Sequence, residues 1–213
     1  INIGPNKQTK NQEDDFIIGL KNFNNLADYI TINISSPNTE NLRDFHEGKK
    51  LIELLKIINE EKKKKNTTIP IMLKISPDIN DSTIDEISEI AIDNSITALI
   101  LTNTTNTNRN NLIELQKNEI GGLSGKPLED ISNNIIKKFY KKLSGKIIII
   151  GVGGVDSGKS AYNKIISGAS LVQLYTGMIF KGPEVVKNIK KDLINHLKND
   201  GVKNFKEIIG QGI

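Results

Sequence analysis

Residues 28–39 read DYITINISSPNT. The first half is apolar and β-branched, as a strand interior requires. The second half, from Asn33 to Thr39, is almost entirely hydrogen-bonding side chains, and Pro37 stops further ladder pairing. A polar turn at a strand end would account for this stretch alone. The pattern recurs, however, in IPIMLKIS (69–76), TALILTNT (97–104), KIIIIGVGG (146–154) and SLVQLYTG (170–177). All five segments are nearly continuously apolar instead of alternating, which marks strands covered on both faces. All five give way to polar, small or glycine residues.

Helical patterns lie between them. KKLIELLKIINEEKKKK (49–65) puts Leu51, Leu54, Leu55 and Ile58 on one face. STIDEISEIAIDN (82–94) starts beside Asp81 as its N-cap, and LEDISNNIIKKFYKKL (128–143) follows Pro127. GKSAYNKIISG (158–168) ends at a glycine, and PEVVKNIKKDLINHLKND (183–200) opens on Pro183 at an N1 position. The alternation predicts an α/β fold with a parallel sheet and right-handed crossovers. An open doubly wound sheet and a (β/α)8 TIM barrel both fit. The barrel is favoured because every strand turns polar at its C-terminal end, where barrels build their sites. A barrel needs eight strands and five are counted; about three would precede Ile1. The opening INIG, without Met and with a strand under way, agrees with a missing N-terminus. No short repeat or linker divides residues 1–213, which read as one domain.

Composition narrows the function. At 213 residues, 37% hydrophobic and 25% charged, the chain is that of a soluble globular protein. Its net charge is +4, with lysines spread over helix-like stretches such as EKKKK (61–65) and no basic face interleaved with aromatics, so nucleic-acid binding is not expected. The absence of cysteine excludes disulfides, Cys-ligated metals and a Cys nucleophile or base. His46 and His196 are far apart without metal spacing and read as surface or capping histidines. No apolar run reaches the ~20 residues of a membrane helix, and no signal peptide is visible.

Several motifs bear on chemistry. IIGVGGVDSG (149–158) is a strand running into glycines and then a helix, so backbone N–H groups can close on an anion. The next strand ends QLYTG, so the last two βα turns both suit a phosphate-bearing ligand, the usual phosphate position in barrels. Lys74, near the end of an apolar strand, calls for an anion or a polar site unless it snorkels to the rim. TNTT (102–105) offers Asn103 to a planar ring bearing amide and carbonyl groups. GGLSGKPL (121–128) either lies against a ligand or is a flexible connection.

Taken together, NISSPNT, LKISPD, LTNTT, GGLSGKPL, IIGVGG and GASLVQLYTG, in this order and spacing, resemble the dihydroorotate dehydrogenase family, and most of all its class 2, quinone-linked branch. The resemblance runs over the whole chain but covers only the later part of the family's barrel domain. It implies an FMN-containing barrel that oxidises (S)-dihydroorotate to orotate in pyrimidine (UMP) biosynthesis and passes electrons to a quinone. Carried over by position, Ser36 matches the base that takes a proton from C5 while hydride leaves C6 for flavin N5. A serine is a poor base by its own pKa, so a relay is needed, with Ser35 and Thr39 close in sequence. Asn33, Asn38, Asn103 and Thr104 match substrate contacts. Asn2, Asn33, Lys74, Thr102, Ser124, Gly125, Gly153, Gly154, Tyr175 and Thr176 match FMN contacts, with Gly154, Tyr175 and Thr176 at the phosphate and Lys74 by the N1/O2 edge of the flavin. No metal is implied.

Class 1 enzymes resemble this sequence but carry Cys where Ser36 stands. A dihydropyrimidine dehydrogenase would also want Cys there, and a dihydrouridine synthase a tRNA-binding surface. A non-catalytic phosphate-binding barrel has no reason to gather Ser36, Lys74 and Asn103. The family's earlier flavin and substrate segments and its N-terminal quinone and membrane extension have no counterpart after Ile1. The 213 residues alone are therefore expected to be inactive. The resemblance further implies a peripheral position on the inner membrane of a bacterium or of a mitochondrion.

Overall fold

The computed structural model describes every residue except 108 and 111. Its main elements are β1 (Asn2–Ile3), α1 (Gln12–Phe23), β2 (Ile30–Asn33), α2 (Gly48–Lys64), β3 (Ile71–Ile75), α3 (Asp81–Asp93), β4 (Ala98–Leu101), α4 (Glu129–Leu143), β5 (Ile148–Val152), α5 (Gly158–Ile166), β6 (Leu171–Gln173), α6 (Thr176–Lys181) and α7 (Val185–Asn199). The strands form one parallel sheet in the order β1-β2-β3-β4-β5-β6. Each strand pairs with its neighbours in sequence. A doubly wound sheet would need a reversal of order, so the sheet is the arc of a (β/α)8 barrel. The opening INIG supplies the sixth strand, β1. Among the described residues β1 and β6 do not pair with each other, so the arc is open.

The register sorts side chains into two faces. Ile32, Leu73, Leu99 and Ile149 stand side by side and are buried against the helices. One residue along, Asn33, Lys74, Ile100, Ile150 and Leu171 form a row on the inner face, above the row of Thr31, Met72, Ala98 and Ile148. The lower inner row is apolar apart from Thr31, and the row above it turns polar at the C-terminal ends of β2 and β3.

The helices seal the outer face as their patterns predict. Leu51, Leu54, Leu55 and Ile58 of α2, Ile84 and Ile87 of α3, and Ile135, Ile136 and Phe139 of α4 are buried. Helix α1 was not expected. Only Phe16, Gly19 and Leu20 of it are buried, and a Cβ on Gly19 would lie 2.9 Å from Ile3 Cγ2, so glycine lets α1 settle onto β1. The cap of α3 is Asn80, whose Oδ1 accepts from Thr83 N–H at 2.9 Å; Asp81 is instead the first helical residue. Pro183 lies two residues before α7.

The chain returns at its far end to bind helices laid down earlier. Tyr140 Oη donates to Ile209 O at 3.1 Å and Lys137 Nζ to Gly212 O at 2.6 Å. Gly210 and Gly212 donate their N–H groups to the carbonyls of Ile165 and Ile166 at 3.1 and 2.9 Å. Ile208 is buried beside them.

Phe16 is fully buried and meets Phe45 edge-on, ring centroids 5.9 Å apart. Phe16→Ala is expected to cost about 3–5 kcal/mol through lost transfer energy and an unfilled cavity. The urea unfolding midpoint measures it; an unchanged midpoint would show that α1 contributes nothing to the core.

Candidate functional site

The loops after β2 and β4 meet through three side chains. Asn33, last in β2, points its Oδ1 inward, where it accepts from Ser35 Oγ at 2.9 Å and from Asn103 Nδ2 at 3.3 Å. Asn103 Nδ2 also donates to Ser35 Oγ at 2.9 Å, closing a triangle. Asn103 Oδ1 in turn accepts from Thr104 N–H at 2.8 Å. Ser35 is fully buried, and the triangle satisfies it. Ser36, next along, is half-buried, and its Oγ accepts from Asn38 N–H at 3.2 Å across the turn made by Pro37. Asn38 is exposed.

The glycine-rich segment 121–125 is tied down, and so is not a flexible connection. Thr105 and Leu123 exchange backbone hydrogen bonds of 3.1 and 2.7 Å. Gly122 packs so closely on Thr104 and Pro37 that a Cβ there would overlap the Thr104 hydroxyl. The segment thereby lies over both the Ser36 turn and the Asn103–Thr104 end of β4. Its Ser124 Oγ accepts from Thr176 Oγ1 at 2.9 Å, which links it to the end of β6.

Beside this corner opens a cavity of about 200 Å³. It gathers Lys74, Thr102, Asn103 and Thr104 with Ser124, Gly125, Gly153, Gly154, Tyr175 and Thr176. Residues from five separate segments converge here. Gly153 and Gly154 have φ of +116° and +78°, a turn that favours glycine and brings their backbone to the cavity wall. Behind that turn a capping box starts α5, Ser157 and Ser160 each accepting the other's backbone N–H. Lys74 is half-buried, and burial alone holds its ammonium below the usual lysine pKa; among the described residues no carboxylate acts to raise it. Hydroxyls, glycine backbone and one uncompensated cation make a set suited to an anionic, hydrogen-bonding ligand. A wider cleft of about 420 Å³ between the C-terminal ends of α2 and α3 lies at the opposite rim, lined by Lys62, Lys63 and Asn94, and brings together none of these groups.

Two of the residues matched to the flavin lie outside the cavity lining. Asn2 is exposed on β1 beside Thr31, and Asn33 sits in the triangle. Ser36 and Asn38 occupy the adjoining turn.

Sequence reasoning missed the polar groups behind the turn. The 3₁₀ segment Leu42–His46 carries Arg43, which reaches Asp78 after β3 with Nη1 to Oδ2 at 2.9 Å. His46 is buried, not on the surface: Nδ1 donates to Arg43 O at 2.8 Å and Nε2 accepts from Ser76 N–H at 3.1 Å. This arrangement needs the neutral ring, and burial pushes its pKa down from 6.5 to about 4. The residues are 30 and 35 positions from their partners, so no local pattern announces them.

The chain is similar to known proteins along its length. The family model described as Dihydroorotate dehydrogenase matches residues 1–197. The dihydroorotate dehydrogenase (quinone) of Bartonella tribocorum is 42% identical over 211 residues, covering 97% of this chain and 59% of that protein. That of Wigglesworthia glossinidia brevipalpis is 47% identical over 198 residues, covering 90% of this chain and 58% of that one. The crystal structure of DHODH in complex with ferulenol from Eimeria tenella superposes with a TM-score of 0.94 at 36% identity, covering 99% of this chain and 60% of that chain. The chain thus spans about three fifths of the length of these relatives.

Two outcomes follow from the geometry. Gly154→Ala puts a Cβ 2.5 Å from Glu129 Cβ at a positive φ; it should cost about 1–3 kcal/mol, read as a lowered Tm. The His46 ring binds a proton in the unfolded chain below pH 6.5 but in the fold only below about 4. In that window the unfolded state holds more protons, so stability falls on acidification from about 6.5 to 4, by about 3 kcal/mol at most. Denaturant unfolding at pH 7 and 4.5 should show a steeper loss in the wild type than in His46→Gln; equal losses would disprove the assignment.

Proposed function

The chain belongs to the dihydroorotate dehydrogenase family, and from that premise we propose that it oxidises (S)-dihydroorotate to orotate as the C-terminal part of an FMN-binding (β/α)8 domain, in the quinone-linked manner that its relatives' names state. The observation that carries the reading is the juxtaposition of the Ser36 turn with the Lys74–Gly154–Thr176 cavity across the Asn33–Ser35–Asn103 triangle. A non-catalytic phosphate-binding barrel would need the second without the first.

The residues divide by role. Gly153, Gly154, Tyr175 and Thr176 hold the FMN phosphate, with Ser124 and Gly125 closing beside them. Lys74 and Thr102 would meet the flavin, as would Asn2 and Asn33. When bound, FMN would supply the acceptor for the hydride, and with it for both electrons of the oxidation. Lys74, already desolvated and without a carboxylate partner among the described residues, is poised to stabilise negative charge at the ring. Asn33, Asn38, Asn103 and Thr104 orient the pyrimidine ring and carboxylate of dihydroorotate through amide and hydroxyl pairs.

Ser36 takes the proton from C5 of the substrate. Its Oγ already accepts Asn38 N–H, which leaves its own O–H free to pass its proton onward. The Ser35 hydroxyl is committed to Asn33 and accepts from Asn103, which removes it from the relay. The segment 121–125 over the turn limits water access to the reacting face. Electron delivery to quinone goes with a peripheral position at the inner membrane of a bacterium or mitochondrion; no helix among the described residues is long and apolar enough to cross a membrane.

Anaerobic addition of dihydroorotate to the FMN-loaded protein, expressed from its whole reading frame, should bleach the flavin absorbance. Ser36→Ala should slow the bleaching by about 10²–10⁴-fold. A flavin that stays oxidised in the wild type would refute the assigned reaction, and an unslowed Ser36→Ala would refute the assigned base.

A further inference from the structure

One guanidinium joins three of the loops that carry the site. Arg43 donates through Nε to Ser35 O at 3.3 Å, through Nη1 to Asp78 Oδ2 at 2.9 Å and through Nη2 to Thr104 O at 3.1 Å. These acceptors follow β2, β3 and β4. Two of them belong to the immediate neighbours of Ser36 and Asn103. Asp78 fastens the arrangement further, accepting from the Thr105 hydroxyl, from Thr107 Oγ1 at 3.2 Å and from Asn106 N–H at 3.0 Å.

We propose that Arg43 is a positioning residue, which sets the Ser36 turn against the Asn103–Thr104 end of β4 so that proton removal and substrate orientation share one geometry. The inference rests on the reading of Ser36 as the base. Arg43 acts through Ser35 O and Thr104 O, both backbone atoms on either side of the reacting corner. The Asn33–Ser35–Asn103 triangle ties the first and last of these loops through neutral side chains; the charged, forked donor adds the loop after β3 and fixes all three at once. Lysine carries its donors on one atom and cannot span the three acceptors.

The anchor for Arg43 is the core itself. Leu42 and Phe45 flank it and are buried, Phe45 against Phe16 of α1. His46 holds the same segment to Ser76 N–H at the end of β3. The position of the Ser36 turn is therefore referred, through one side chain, to the packed outer face of the sheet. A displacement of about 1 Å between reacting groups can cost about 100-fold in rate, which sets the effect expected when this link is cut.

The test uses the FMN-loaded protein and anaerobic stopped-flow bleaching by saturating dihydroorotate, with Tm and FMN content measured alongside. Arg43→Ala should bleach about 100-fold more slowly than wild type, with FMN content retained. Arg43→Lys should recover less than about a tenfold part of that loss. Guanidinium ion at a non-denaturing concentration should speed Arg43→Ala and leave the wild type unchanged. If Arg43→Ala does not fold, Asp78→Asn replaces it and should slow bleaching while both carbonyl acceptors remain. Wild-type rates in these variants, or losses that follow Tm without guanidinium rescue, would overturn the proposal. A wild-type flavin left oxidised would instead overturn the functional reading, and this inference with it.

Discussion

The outer face of this sheet admits no polar side chain, and most of the molecule follows from that. Ile32, Leu73 and Leu99 lie side by side at zero exposure under the helices. An unpaired polar group there would cost its full desolvation. Polar groups are left with the inner rows and with the rim where the parallel strands end. Because the strands run the same way, their polar ends collect at one rim, together with the turns that open each helix. Asn33, Lys74 and Asn103 are neighbours in space because the outer face excludes them everywhere else.

Two lysines, one buried and one half-buried, show how that rim differs from a structural polar site. Lys164, fully buried, gives its ammonium to Asn133 Oδ1 at 2.7 Å and Glu129 O at 3.2 Å; burial pulls its pKa to about 7 against the nearby Glu129 carboxylate. Its needs are met inside the fold. Lys74 is partly desolvated too, but among the described residues no carboxylate offsets its burial. The difference between the two lysines is one of compensation: the same desolvation is answered by a nearby carboxylate at Lys164 and, among the described residues, by none at Lys74. The Asn33–Ser35–Asn103 triangle is the opposite case, a set of polar groups that satisfy one another and hold their loops rigid.

Much of this was legible in the sequence, and the gaps have physical causes. Continuous apolar runs gave the strands, since a strand covered on both faces has no alternation to misread. DYITINIS and its counterparts overran the true strands because their last residues bend away into the rim. Helix α1 escaped notice because Gly19 interrupts its pattern and because Ile18 on its far face is as apolar as Phe16. Helix α6 escaped because Met178, Ile179 and Phe180 are apolar yet exposed. The Gly153–Gly154 turn and the polar strand ends could be read locally, since each is complete within a few residues. Arg43, His46 and Asp78 could not, since each reads as one more solvated side chain until the fold brings its partner to it.

The return of residues 208–212 to α4 and α5 has a meaning for the order in which the protein assembles. Each βα unit pairs with the one made just before it, so the sheet can grow strand by strand as the chain leaves the ribosome. The carbonyl of Ile166 and the hydroxyl of Tyr140 stand outside that sequence of events, because the residues that bond them are synthesised later, while Ile165 O, already bonded by Gly168 N–H at 2.9 Å, gains a second donor. Until Ile209 to Gly212 arrive, this side of the nascent domain keeps solvated polar groups and an unfilled place for Ile208. The contacts of residues 208–212 with α4 and α5 therefore join parts of the chain that emerge at different times, unlike the strand pairs, which join neighbours.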